Sequence, residues 1–414
     1  MPRGGAAATR KSAAPAPPAE PRLGIAEVEV KGFRSARAVS FAPREMCALV
    51  GEANAGKSNI LAAIRVVLDP QAAPITTADA ARDGDGGMSI RLRFVDGGEA
   101  VLAGTAEHHT LERPGGTPPV LFLSAEARAT TLVTGGEAAG NALELFQRAL
   151  GHRRPSSAAQ ALALVEALES CCASGVRGLV LLIEEPELYL RPQAQRYLYR
   201  LLRKFAAGGN QVIYSTHSPS FLNVARLDEL VFVERAAATG TRAEQPRAVT
   251  PDEDFRVLTE FDAARSELFL ARAAVLVEGQ TERLVFPFVF AAFGYDADRE
   301  AISIVECGGK PNLPLFARIC AAVGVPFVVV HDSDVRPGRR LVAAEQALNA
   351  LIAEVVDDER RVVLEPDFEA VAGLEGHSHK PERAWRRFSE LPAARIPKPL
   401  ARAAELAVAL ARRG

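Results

Sequence analysis

The chain is poor in lysine. Of its 49 Lys and Arg residues only seven are lysine, so arginine is the default cation and each lysine invites a functional question. Cysteine is scarce too. Its five thiols (Cys47, Cys171, Cys172, Cys307, Cys320) show neither metal-ligand nor redox spacing. Cys171 and Cys172 adjoin in a helix-like stretch and are not expected to pair. No apolar run reaches the ~18–20 residues of a membrane span, and the N-terminus lacks the apolar core of a signal peptide. A reduced, cytoplasmic setting without membrane contact is expected. Positive charge is not in excess: the net charge is −2, so the whole chain does not advertise nucleic-acid binding. No internal repeat is visible.

What is present is unevenly placed. Residues 377–414 hold nine Lys or Arg, among them Arg383, against Glu382, Glu390 and Glu405, a local charge of +6. Such an end reads either as a contact for a phosphate backbone or as a solvated helix face. The 414 residues suggest two or three domains. Residues 1–22, rich in Ala, Pro and Gly, read as a disordered tail. From residue 23 the alternation of "LGIAEVEVKGFRSARAVSF" predicts a hairpin. "MCALVGEANAGKSNILAAIRVVL" then reads as strand, glycine loop and helix. "GLVLLIEEPE" and "NQVIYSTHSPSFLN" are buried strands running into loops, separated by the helix "RPQAQRYLYRLLRKFAAGG". Residues 236–266 are polar and irregular, which places a boundary near 266. Beyond it β and α alternate, predicting a second, mostly parallel sheet over 267–414.

"GEANAGKS" (Gly51–Ser58) matches the phosphate-binding loop G-x-x-x-x-G-K-[ST]. Its glycines, with Asn54 between them, let backbone amides face phosphate. Lys57 meets the β/γ charge, and Ser58 can ligate Mg²⁺. An apolar strand ending in an acid supplies the rest of the metal shell in such enzymes. Glu184 stands at that place, Glu185 follows where it can polarise water, and His217 of "STHSP" can sense the γ-phosphate. ATP is the expected ligand.

These residues resemble the ABC-type ATPase heads of the SMC/RecF-like group, which work as ATP-sandwich dimers. "EEPELYLRP" resembles the EEPE-x-H-L-H-P of the OLD (overcoming lysogenisation defect) family, with Tyr189 and Arg191 where histidines are common. An intact Ser-Gly-Gly-Gln-like signature is lacking. "RPSSAAQAL" (Arg154–Leu162) lies at its place without glycine, so ATP binding is a safer expectation than fast turnover.

The second half carries another set of acids. Glu278 and Glu282 in "VLVEGQTER" fall at a strand-to-helix junction, where both can face one pocket. Asp332 and Asp334 in "VVVHDSD" are two apart, hence on one side of a strand. "VVLEPDFE" offers Glu365, Asp367 and Glu369. Carboxylates without His or Cys partners favour Mg²⁺ or Mn²⁺. Lys310, in the turn "CGGK", is a candidate for DNA phosphate, as is Arg383. The two strand-end patterns resemble the Toprim domain of topoisomerases, primases and OLD-family nucleases. The resemblance implies metal roles for Glu278, Glu282, Asp332 and Asp334, with a later acid, Glu369 or else Glu365, joining the shell. It also implies a lysine, here Lys380, that stabilises transition-state charge.

An ABC-like ATPase followed by Toprim is the order of the OLD family, and the resemblance covers about 23–385. It implies an ATP-regulated, metal-dependent DNA endonuclease working in phage defence or DNA processing. A homodimer or higher homo-oligomer is the expected assembly, with a partner protein as a further candidate. The alternatives are a non-catalytic ATP switch and a RecF-like repair ATPase. A topoisomerase would need a tyrosine nucleophile in a further domain, and little chain is left for one.

Overall fold

The computed structural model describes residues 24–413 except 72, 82–85, 116, 126–129, 133–143, 146–147, 149–156, 223, 237–238, 247–264, 337, 339–341 and 375–378. The tail 1–22, most of the stretch expected to mark the boundary, and the Arg154–Ser156 start of the signature candidate lie outside the described residues.

The first sheet begins with the expected hairpin, β1 (Ile25–Phe33) paired antiparallel with β2 (Ala36–Phe41). β1 pairs on its other side with β4 (Met88–Phe94), with a register shift between Ile25 and Glu27. That irregularity lets Ile25 and Val28 both face the core although they are three apart. β5 (Glu99–Gly104) and β6 (His109–Glu112) extend this antiparallel wing.

The other wing is parallel. β3 (Met46–Val50) is buried throughout and lies between β10 (Gln211–Thr216) and β11 (Leu230–Ala236). β10 pairs with β9 (Val180–Glu184), and β9 with β7 (Val120–Leu123), which carries the short β8 (Thr130–Leu132) at the edge. β12 (Gly240–Glu244) pairs with β11 and touches β2, closing the order β6-β5-β4-β1-β2-β12-β11-β3-β10-β9-β7-β8. Helices α1 (Lys57–Leu68), α2 (Ser157–Ala173) and α3 (Pro192–Ala207) cover this sheet. α1 buries Ile60, Leu61, Ile64 and Val67, the i, i+1, i+4, i+7 stripe of an amphipathic helix.

β12 departs from the expected irregular stretch. Its five residues, GTRAE, alternate too briefly for a period-2 signal, and only Thr241 is buried. It is a strand because β11 presents an unpaired edge beside it.

The second sheet is wholly parallel among the described residues, in the order β14 (Ile302–Glu306), β13 (Ala273–Val277), β15 (Phe327–Asp332), β16 (Arg361–Leu364). Its helices are α4 (Gln280–Ala292), α5 (Leu313–Val323), α6 (Ala343–Val355), α7 (Phe368–Ala372), α8 (Lys380–Phe388) and α9 (Lys398–Ala411). The fold is thus α/β, with an antiparallel wing on the first sheet and a separate parallel sheet after it. The two sheets share a core through the turn 265–270, where Leu268 and Phe269 are buried and the Phe269 ring lies 6.4 Å from that of Phe232. Among the described residues no helix is long and apolar enough to cross a membrane. All five cysteines are free thiols.

Candidate functional site

In parallel sheets the carboxyl ends of the strands hold the ligand-facing loops. Three such loops meet on the first sheet. The loop after β3 is shaped by its glycines. A Cβ at Gly51 would lie 2.0 Å from the Val233 carbonyl, and one at Gly56 (φ +109) would lie 2.1 Å from Thr241 Oγ1. Asn54 takes the left-handed φ of +64 that short amide side chains tolerate. Thr241, from β12, backs the loop: its hydroxyl donates to the Ala55 carbonyl at 2.8 Å and lies 2.7 Å from Ser35 Oγ. Lys57 is buried, its ammonium donating to the Gly51 and Glu52 carbonyls at 2.8 Å each. Burial lowers its pKa to about 8, opposed by the charges of Glu185, Glu187 and Glu52. Ser58 is exposed one residue further on, at the start of α1.

Glu184 closes β9, and its Oε2 accepts from the Ala125 amide at 3.1 Å. Glu185 turns out of the strand with φ +44, its amide donating to the Ser215 carbonyl at 3.0 Å. Its Oε1 lies 3.5 Å from His217 Nε2. Burial and then the charge of Lys57 hold His217 below the usual histidine range, with Glu185 opposing. The structure therefore brings Lys57, Glu185 and His217 together. Tyr189 and Arg191, the departures within "EEPELYLRP", are exposed.

The second sheet gathers acids at the same edge. Glu278 follows β13, and its Oε1 accepts the Asp332 amide at 2.7 Å. Asp332 ends β15, with Oδ1 accepting the Phe368 amide at 2.8 Å. Glu282, in the first turn of α4, is buried. Glu369, on α7, is ion-paired with Lys380 at the start of α8. Burial, then the charges of Glu278 and Glu282, push the Asp332 carboxyl up to about 8. Burial likewise pushes Glu278 up to about 7 and raises Glu282, which also feels Glu369. Buried carboxylates that repel one another in this way are short of positive charge, and that is the electrostatic fit of a divalent cation. Among the described residues no group of three acids or histidines is already arranged to hold a metal ion. The Glu278 carboxylate is instead engaged with the Asp332 backbone.

Two expectations, for Asp334 and Lys310, are corrected in detail. Asp332 and Asp334 do not share a strand face, because β15 ends at Asp332 and Asp334 has φ +59. Lys310 does not point outward to a phosphate. It is buried, pairs with Asp334 Oδ2 at 2.7 Å and donates to the Asp332 carbonyl. Of the two late acids, Glu369 reaches the cluster while Glu365 is exposed, and Asp367 caps α7 through the Ala370 amide and pairs with Arg336. Arg383 lies half-buried on α8, three residues after Lys380. Thr241, Ser35 and Glu187 also shape the first site without belonging to the motif residues named from sequence. Glu187 had a signal, the last acid of the EEPE run; Thr241 and Ser35 act only through tertiary contact.

Together the folds and clusters define a P-loop α/β unit joined to a sheet with a Toprim-type acidic edge. The chain is similar to the OLD nucleases. Residues 269–334 match the Toprim domain of overcoming lysogenization defect protein-like proteins. Residues 151–223 match an AAA domain described as a putative AbiEii toxin of a type IV toxin–antitoxin system, and residues 23–79 match a family of unknown function. An OLD nuclease of Thermus scotoductus is 40% identical over 222 residues, covering 49% of this chain and 42% of that protein. The Old nuclease of Escherichia phage P2 is 29% identical over 161 residues, covering 37% of this chain and 28% of that protein. The matched part thus spans less than half the length of either relative. An SMC head domain from Thermotoga maritima is 16% identical, covers 55% of this chain and 100% of its own, and superposes with a TM-score of 0.38. A C-terminal region of the Xanthomonas campestris OLD protein is 16% identical, covers 36% and 97%, and gives 0.27. The resemblance drawn from the motifs is borne out by the matching Toprim and ATPase families and the OLD relatives.

Proposed function

We propose that this chain is an ATP-binding, divalent-metal-dependent DNA endonuclease of the OLD type, in which nucleotide state regulates cleavage. The observation that carries the reading is the buried edge of Glu278, Glu282 and Asp332, where burial first and mutual repulsion second raise Asp332 to about 8. A fold keeps such a cluster at a cost, and a cation relieves it. Mg²⁺ or Mn²⁺, when bound there, would supply charge for the attacking and leaving oxygens of phosphodiester hydrolysis. Glu278, Glu282, Asp332 and Glu369 would hold it. Asp334 would join less directly, since Lys310 already neutralises it. Lys380 would pass from Glu369 to the scissile phosphate and offset its developing charge. Arg383 and the basic α8 would steer the DNA backbone toward this edge.

At the first site Gly51, Asn54, Gly56, Lys57 and Ser58 would take ATP. The buried Lys57, lowered to about 8 by burial and hydrogen-bonded to the Gly51 and Glu52 carbonyls, has the fit of a cation awaiting phosphate. Glu184 would orient Mg²⁺, Glu185 would polarise water, and His217, beside it, would register the γ-phosphate. Two copies of the chain would meet across this site, with a partner protein as a further participant. Phage defence or DNA processing is the role that fits such an enzyme.

Calorimetry tests both sites. The account expects Mn²⁺ to bind the wild type and to bind Asp332→Asn at least tenfold more weakly, about 1.4 kcal/mol. It expects ATP to bind the wild type and not Lys57→Ala. Equal Mn²⁺ affinity in wild type and Asp332→Asn would remove the metal site and favour the non-catalytic ATP switch, which the lack of an intact signature motif already suits.

A further inference from the structure

Glu187 takes no direct part in either site, yet it is among the most enclosed acids of the first sheet. It lies in the turn after β9 with 8% of its surface exposed. Its Oε1 accepts from Thr216 Oγ1 at 2.8 Å and from the backbone amide of His217 at 2.7 Å. Among the described residues its Oε2 has no hydrogen-bond partner. Burying a carboxylate with half its acceptors idle is costly, so its place needs a reason.

The reason lies in what it joins. The acid turn and the histidine loop belong to different strands and are stitched at several points. Gln195 on α3 donates to the Leu190 carbonyl at 3.1 Å and accepts from Ser218 Oγ at 2.8 Å. Thr216 Oγ1 accepts from the Ser218 amide at 3.0 Å. Glu187 is the charged stitch, and it holds the backbone of His217 itself. Charge-assisted bonds of this kind are shorter and stronger than neutral ones. The imidazole thus reaches Glu185, 3.5 Å away. The negative charge of Glu187 also supports the ammonium of Lys57 across the site.

We propose that Glu187 is the positioning residue of the nucleotide site: its carboxylate locks the histidine loop to the acid turn so that His217 stands beside Glu185 and faces the phosphate loop. The inference rests on reading that site as an ATP site. Glu187 acts through the backbone of His217, to which it is hydrogen-bonded. Phosphate affinity comes from the loop amides and Lys57, so loss of Glu187 should slow turnover and spare binding.

Single-turnover ATP hydrolysis and ATP binding by the full chain test this. The set is wild type, Glu187→Ala, Glu187→Gln, His217→Ala and the Glu187→Ala/His217→Ala double variant. Glu187→Ala is expected to slow hydrolysis on the order of 10–100-fold, the scale of a misplaced group, with ATP affinity unchanged. Glu187→Gln should recover most of the rate, because its amide oxygen still accepts from Thr216 and His217. The double variant should be no slower than His217→Ala alone, since both losses pass through one histidine. Multiplying losses, or a glutamine variant as slow as the alanine one, would overturn the inference. If Glu187→Ala does not fold, Thr216→Val removes one stitch and should give an intermediate loss; a wild-type rate there would overturn it as well. A wild type that binds no ATP sinks the nucleotide reading and this inference with it. A wild type that binds ATP without turning it over, or turns it over no faster than Glu187→Ala, sinks this inference alone.

Discussion

Asp332 concentrates the physics of the second site in one carboxyl. Its ordinary pKa of 3.8 rises to about 8 in the fold, so the folded chain binds a proton that the unfolded chain releases. Stability from this group is therefore full below pH 3.8 and lost as pH rises through about 8. His331 works in the opposite sense: burial lowers it from 6.5 to about 4, so it favours the fold increasingly up to its ordinary value and is level above it. Above pH 6.5, where His331 is level, the carboxylates should thus dominate, Glu278 up to about pH 7 and Asp332 up to about pH 8. Melting without metal should fall across that window in the wild type and stay flatter in Asp332→Asn. Mn²⁺ should raise the wild-type melting temperature more at pH 8 than at pH 6.5. Differential scanning at the two pH values checks this, and a Mn²⁺ shift of equal size at both would count against the cluster as a cation site.

At the scale of elements, the phosphate loop depends on a strand the sequence did not announce. The G-x-x-x-x-G-K-S pattern was legible because each residue type has a mechanical reason. The strand behind it was not, because β12 is held by Thr241 and a neighbour's open edge rather than by any periodicity of its own. Gly56→Ala would force a Cβ to within 2.1 Å of Thr241 Oγ1 in a left-handed backbone. It should cost roughly 1–3 kcal/mol and abolish ATP binding. Thr241→Val should cost about 1–3 kcal/mol by leaving the Ala55 carbonyl unpaired, and weaken ATP binding less. Denaturant melts with an ATP-binding assay separate the two; an unperturbed Gly56→Ala would contradict the account of the loop. The acids of the second sheet were likewise legible as strand-end patterns. The alternation argument failed at Asp334, where the strand had already ended, and Lys310 was misread because a lysine in a glycine turn looks exposed until the fold closes Asp334 over it.

Across the whole molecule, two of the contacts that join the sheets among the described residues differ in size. Arg272, just before β13, makes a two-pronged ion pair with Glu52 of the phosphate loop, at 2.7 and 3.2 Å. Both side chains are at least half exposed, so water and salt screen the pair. Arg272→Ala should change stability by less than about 1 kcal/mol. Phe269, buried in the shared core, is the stronger tie: Phe269→Ala should cost about 3–5 kcal/mol. If the two variants proved equally mild, the shared core would not be what holds the sheets together. No sequence pattern pairs position 52 with 272, since the pairing arises only when the second sheet docks.

We propose that the acidic edge of the second sheet cuts DNA. The measurement that tests it most directly is conversion of supercoiled plasmid in Mg²⁺ or Mn²⁺, with and without ATP, by the wild type, Asp332→Ala and Lys57→Ala. The account predicts that the wild type nicks or linearises the plasmid and that Asp332→Ala does not. It also predicts that ATP alters wild-type cleavage but leaves that of Lys57→Ala unchanged. Equal cleavage by wild type and Asp332→Ala, or an inert wild type under every metal, would contradict it.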